Sequence, residues 1–195
     1  MYSISRIGKQ HPFLFGVGVS AIKTSGVDLW VQLKFENRNW NEVNWRRNIF
    51  FGSFGMIYLG CVQYGIYVKL FTRMFPRTKK FAALSIREKI TDKVGRTQIV
   101  KQILFDQLIH HPLLYFPCFY ITKEFIQNSN SKSPIINGLS KYKNNYKTDL
   151  RELWKLWIPA TCFNFFINPL WMRVPFTALV SVLWTSIVSQ LRGKH

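Results

Sequence analysis

The sequence is short of acid. Its 195 residues hold 9 Asp and Glu against 27 Lys and Arg, a formal net charge of +18 at pH 7. An excess this large directs the chain toward anionic partners, whether lipid, protein or nucleic acid. Cysteine is scarce as well. Cys61, Cys118 and Cys162 form no close pair, which excludes a disulfide-stapled secreted scaffold. Enzyme signatures are missing. There is no Gly-x-Ser-x-Gly and no phosphate-binding glycine loop after a strand. His110 and His111 are adjacent rather than four apart, and no cysteine or carboxylate spacing completes a helical metal pair. Catalysis, a cofactor and a resident metal are therefore not expected. No cleavable signal peptide is evident, and the opening MYSISRIGKQH is too short for a transit peptide. Disorder is excluded by what is present, 48% apolar and 16% aromatic residues.

The few charges are bunched. Asn48 to Val68 runs 21 residues without an ionised side chain, Gln107 to Thr122 runs 16, Leu156 to Met172 runs 17, and Val174 to Leu191 runs 18. A further 13 lie in Gln10 to Ile22, extending to Leu33 if Lys23 and Asp28 are tolerated. In a soluble amphipathic helix polar residues return every three or four positions. These gaps instead approach the roughly 20 residues that cross a bilayer. Gly52, Gly55, Gly60 and Gly65 in the second run suit close packing of helix backbones in lipid. The expected fold is all-α: one membrane domain over 1–195, a polytopic transmembrane bundle of about four spans with short interfacial helices. A buried hairpin of a soluble protein is the alternative.

The basic residues concentrate in two interhelical segments, about 71–98 and 122–155. Arg77, Lys79, Lys80 and Arg87 in the first, and Lys141, Lys143 and Lys147 in the second, are candidates for contact with anionic headgroups or an acidic partner. Each Lys or Arg near an anionic membrane surface is worth about 1 kcal/mol. Nucleic acid is not expected, because the aromatics sit in the spans and no base-reading motif occurs. The polar stretch Gln127 to Thr148 reads as a surface loop leading into a short amphipathic helix near Leu139 to Trp154.

Polar groups inside apolar spans need a reason. In the first span Gly16, Ser20, Thr24, Asp28 and Gln32 recur every fourth residue, a slowly winding stripe along the helix. It suits either a packing seam or a hydrated path whose charge preference Asp28 sets. Asp106 and Gln107 open the third span, as a helix cap or as a second carboxylate of the same path. Near the end, Pro169 and Pro175 bracket Arg173, so two helices should meet there. Asn164 is placed to hydrogen-bond across helices. Arg173 is expected to reach an interface or to pair with Asp28 or Asp106.

Trp157, Asn164-Phe165, Pro169, Arg173, Trp184 and Ser189 together resemble the C-terminal signature of the Mpv-seventeen family of small peroxisomal and mitochondrial membrane proteins. Upstream, Pro12 sixteen residues before Asp28, Asp28 with Gln32, Asn44 to Arg47, the set Gly60, Tyr67, Leu70 and Pro76, and Phe105-Asp106-Gln107 with Pro112 fit the same family in order. The chain departs from it at Val27, Cys61, Ile66, Ile158, Thr161 and Thr185. The resemblance implies a bundle of about four spans in the mitochondrial inner membrane, or alternatively the peroxisomal membrane, and a weakly selective solute channel or organelle-homeostasis role. The pore-lining or interhelical candidates are then Ser20, Thr24, Asp28, Gln32, Asp106, Gln107, Asn164 and Arg173. The strong charge and the Asn/Lys-rich segment favour a competing expectation, an accessory subunit of a mitochondrial respiratory-chain complex that binds partner subunits and cardiolipin.

Overall fold

A computed structural model describes residues 11–128, 130, 132–168 and 170–193, and among them there are helices and no strands. Helix α1 (Pro12–Trp30) starts on a proline, where a missing amide proton costs nothing, and continues as a π-turn over Val31–Phe35. Asn44 caps α2 (Trp45–Phe54) by accepting from the Arg47 amide. The chain carries on from α2 through π-segments Gly55–Val62 and Gly65–Leu70 to Met74. Three helices follow, α3 (Arg77–Ala83), α4 (Ile86–Thr91) and α5 (Lys93–Phe105). A π-segment, Asp106–Tyr115, joins α5 to α6 (Phe116–Gln127). The last two are α7 (Pro134–Phe166) and α8 (Leu170–Arg192).

Two helical stretches, Phe13–Phe35 and Trp45–Met74, are long and apolar enough to cross a bilayer, and Phe176–Arg192 is a shorter apolar helix. The expected count of four is thus met in part. Gln107 to Thr122 lies in a continuous helical run, but that run carries buried Asp106, Gln107, His110 and His111 beside its apolar residues. The two long stretches are mostly unburied. Leu14, Ile22 and Ile57 point outward, with Ile22 76% exposed. A core helix of a soluble protein hides such residues, whereas a lipid-facing one presents them.

The segments read as basic loops are mostly helical. Residues 77–83, 86–91 and 93–105 form α3 to α5. The polar stretch before residue 148 is not a long loop, since α7 begins at Pro134 and runs 33 residues. Its Asn, Ser and Lys residues are tolerated in a helix, and Pro134 supplies a favourable first turn. The chain breaks between Phe166 and Leu170, just ahead of the expected place, and Pro175 lies within α8.

The core is aromatic. Phe50, Phe51, Phe54 and Tyr58 meet Tyr115, Phe116, Phe119 and Tyr120, with Leu153 and Trp184 closing the cluster. Phe54 stacks on Tyr58 at 5.2 Å and meets Phe119 edge-on at the same distance, arrangements that add to simple burial. Trp184 donates its indole N–H to the Tyr115 hydroxyl at 3.0 Å, which satisfies the one polar atom its burial would orphan.

Glycine decides how closely α1 meets the second long helix. A Cβ at Gly55 would stand 2.6 Å from the Ser20 carbonyl oxygen, and one at Gly60 would stand 2.8 Å from the Val17 Cα. Both obstructions are backbone, which cannot swing aside. A Cβ at Gly65 meets nothing within 4 Å. Gly55→Val should therefore destabilise the bundle by about 1–3 kcal/mol or more through overpacking, while Gly65→Ala should be nearly neutral. Thermal unfolding in detergent micelles, followed by near-UV circular dichroism, measures the difference.

Candidate functional site

The first-span stripe is a seam. Thr24, Asp28 and Gln32 are buried, and Ser20 faces the same neighbour. The Thr24 hydroxyl donates back to the Ser20 carbonyl at 2.8 Å. Asp28 is fully enclosed. Its Oδ1 accepts from Arg47 Nε and from the Ser189 hydroxyl, each at 2.7 Å. Its Oδ2 accepts from Gln32 Nε2 at 2.9 Å and from Asn48 Nδ2 at 3.3 Å. Gln32, one turn on, also accepts from the Asn44 amide at 2.7 Å.

Arg47 is the counter-ion. It is 0% exposed and spends its guanidinium on four acceptors: Asp28, Glu36 Oε1 at 2.8 Å, and the Ser189 hydroxyl and carbonyl at 2.7 and 3.1 Å. Gly193, after the last turn of α8, packs so closely on this guanidinium that any side chain there would collide with it. Of the places expected for Arg173, an interface, Asp28 or Asp106, the one beside Asp28 holds Arg47. The Arg173 side chain and Pro169 lie outside the described residues. Arg47 directly precedes the 21-residue uncharged run and closes the Asn44 to Arg47 stretch that resembles the family, and neither signal names its partner. Nothing in the sequence separates it from its neighbour Arg46, which is exposed.

A second cluster forms around Asp106. Its Oδ1 accepts from the Tyr67 hydroxyl at 2.7 Å and stands 2.8 Å from His110 Nδ1, and its Oδ2 accepts from Gln107 Nε2 at 3.1 Å. A carboxylate only accepts, so His110 carries its proton on Nδ1, and its Nε2 accepts from the Tyr58 hydroxyl at 3.0 Å. The His111 ring nitrogen Nδ1 donates to the Asp106 carbonyl at 2.8 Å, a side-chain bond within the π-segment. Asp28 and Asp106 accept from separate sets of donors. The expectation of no metal constellation rests on α-helical spacing, and the π-segment changes that geometry: Asp106, His110 and His111 put one ligand atom each within 4.8 Å of one another.

Asn164 works at the α7–α8 elbow, donating to the Thr177 hydroxyl at 2.9 Å and accepting from Asn168 at 3.0 Å. Among the basic candidates, Arg77 pairs with Asp92 at 3.2 Å and Lys141 with Glu124 at 2.7 Å. Lys79, Lys80, Arg87, Lys143 and Lys147 are exposed. The Gly95 amide, donating to Asp92, is the main reason that carboxyl sits below its ordinary range. A third polar layer ties α6 to α7 and α8. Tyr120 donates to Asp149 at 2.6 Å, Arg192 pairs with Asp149 at 2.7 Å, and the Lys123 ammonium donates to the Arg192 carbonyl.

This is a helical protein with a lipid-facing apolar surface and ion pairs held between its helices. The comparisons agree with that class. Residues 132–189 match the model of the Mpv17 / PMP22 family. Protein SYM1 of Candida albicans is 24% identical over 89 residues, 45% of this chain and 44% of its own length. PXMP2/4 family protein 2 of Dictyostelium discoideum is 26% identical over 97 residues, 50% of this chain and 48% of its own. Mitochondrial inner membrane protein Mpv17 of Xenopus laevis is 28% identical over 116 residues, 54% of this chain and 59% of its own. The chain thus spans about half the length of the curated relatives it matches. No solved structure matches. The resemblance to the Mpv17 / PMP22 family is borne out, and with it a place in a membrane.

Two outcomes follow from this geometry. Arg47→Met leaves Asp28 as an uncompensated buried charge and should cost about 3–5 kcal/mol, whereas adding Asp28→Asn to it should restore much of the loss. A double-mutant cycle of unfolding in detergent reads that coupling. Burial holds the Lys123 ammonium down to about 8, with Lys141, Arg192 and Arg47 adding to the effect and Glu124 opposing it. Between about 8 and the ordinary 10.5 the unfolded chain binds the extra proton at this site, so the Lys123 contribution to stability rises with pH across that window. The melting temperature of wild type relative to Lys123→Met should therefore increase from the lower end of the window to the upper, as melting curves of the two proteins at both ends will show.

Proposed function

We propose that the chain is a non-catalytic, multi-pass protein of the mitochondrial inner membrane that serves as an accessory subunit of a large membrane complex. Its exposed basic residues meet partner subunits and anionic lipid, cardiolipin among them. One observation carries the reading: the carboxylate best placed to line a path through the first span, Asp28, is neutralised by Arg47 and closed on every side. A charge locked in an ion pair fastens helices and offers little to a passing ion. The location follows the Xenopus relative, whose name places it in that membrane. The peroxisomal membrane stays the alternative, as the family resemblance implies.

A second reading, a weakly selective solute channel or organelle-homeostasis protein, draws on the Asp106 cluster, a buried carboxylate without a fixed cationic side chain. Native electrophoresis of organelles solubilised in mild detergent separates the two. The accessory reading expects the protein to migrate with a large complex. Migration alone at its own mass, together with a conductance after reconstitution, overturns that reading in favour of the channel.

A further inference from the structure

We propose that Asp106, His110 and His111 form a buried binding site for a first-row divalent cation, best matched by Zn2+. The first support is chemical. Two imidazole nitrogens and one carboxylate oxygen are a borderline donor set that suits Zn2+ or Fe2+ rather than Mg2+ or Ca2+. The second is the helix geometry. A π-helix closes its turn at the fifth residue, so positions i+4 and i+5 fall on either side of position i. Here that places His110 and His111 on the two flanks of Asp106, which an α-helix of the same sequence would not do. Pro112, inside this segment, has no amide proton to give to the ordinary i−4 ladder.

The third support is charge. Three other acidic residues are as deeply buried, and each has a permanent cation against it: Asp28 has Arg47, Glu124 has Lys141, and Asp149 has Arg192. Among the described residues Asp106 forms ion pairs with His110 and His111 alone. Tyr67, Gln107 and His110 bond its oxygens, but no Lys or Arg stands against it, so a charge in a water-poor interior lacks a permanent counter-charge. A bound dication supplies it. A further pointer is the Gln107 Oε1, buried and without a hydrogen-bond partner while its own amide nitrogen donates to Asp106. An unpaired carbonyl-type oxygen beside the carboxylate is a ready fourth donor.

The fit needs only small movement. Two donors at about 2.1 Å from one ion stand at most about 4.2 Å apart, so the widest separation, within 4.8 Å, closes by rotation of the rings. When the ion takes His110 Nδ1, the proton there moves to Nε2, which then donates to the Tyr58 hydroxyl oxygen now accepting from it. The number of protons is unchanged, and Tyr58 becomes the outer partner that fixes the ring.

The full chain, purified in detergent and stripped with a chelator, is titrated with Co2+ alone and then with Zn2+ in competition. The expected result is one equivalent bound, with visible ligand-field absorption that Zn2+ abolishes, and a raised melting temperature with either ion. His111→Gln keeps the Asp106–His110–Tyr58 bonds and so should fold, yet it should weaken binding by more than about tenfold, since even outer-shell changes cost 10- to 100-fold. Replacing both remaining histidines of the chain, His11 and His195, by Asn should leave binding unchanged. The proposal is overturned if wild type binds no Co2+, or if the signal survives His111→Gln and is lost with His11 and His195. Should His111→Gln fail to fold, the His11 and His195 replacement decides alone.

Discussion

The bundle depends on one buried ion pair. Arg47 and Asp28 meet at 2.7 Å with both side chains fully enclosed. Withdrawing two ions from water costs several kcal/mol each, and the attraction between them offsets that only when the remaining donors and acceptors are also filled. Here they are, by Gln32, Asn48, Glu36 and Ser189. Such a pair adds little net stability over an apolar substitute, but a half-made one is severely unfavourable. Its effect is therefore on which arrangement is allowed. If α1 slid by one turn, Asp28 would be stranded, so the pair sets the register of α1 against α2. Through Ser189 it also draws α8 onto both, joining parts of the chain 161 residues apart.

Glycine and π-geometry act around that anchor. Gly55 and Gly60 let α1 approach until backbone meets backbone, which brings the Asp28 carboxylate within reach of Arg47 on the neighbouring helix. In lipid, where apolar side chains gain nothing by leaving the solvent, this contact area and the polar bonds inside it are what hold helices together. The aromatic cluster supplies the rest, and its polar atoms are paired: Trp184 with Tyr115, Tyr58 with His110 and Tyr120 with Asp149.

Much of this was legible in the residues. Uncharged runs marked the long helices because charge is excluded from both lipid and core. The four-residue spacing of Thr24, Asp28 and Gln32 marked one face because a helix repeats nearly at that interval. The partner of Asp28 was not legible, since local spacing says nothing about which distant cation folds beside it. The sequence offers Arg173 as a candidate and does not point to Arg47 in that role. The helix through Pro134 was hidden for another reason. Its polar residues are loop-like in composition, yet α6 packs against it through Gly138, where a Cβ would stand 2.9 Å from the Ile121 Cα. That tertiary contact overrides the local preference. The face of the Asp106 segment was missed because periodicity arguments assume 3.6 residues per turn, and this segment does not keep it.

The two buried aspartates differ in what neutralises them, and that difference separates structure from responsiveness. Asp28 faces a guanidinium, which stays charged under all ordinary conditions, so its environment has one state. Asp106 faces an imidazole and a phenol hydroxyl, which carry no permanent positive charge. A network built only from permanent ions can lock a fold but cannot sense anything. One built from a carboxylate and two histidines, on a segment whose helical geometry is already irregular, has a conditional charge at its centre. Any ligand that changes that charge changes the hydrogen bonds of Tyr58 and Tyr67 as well, and these lie on the π-segments Gly55–Val62 and Gly65–Leu70 of the second long helix. Occupancy at Asp106 is thereby coupled, through two tyrosine hydroxyls, to the helix that Arg47 and Gly55 hold against α1.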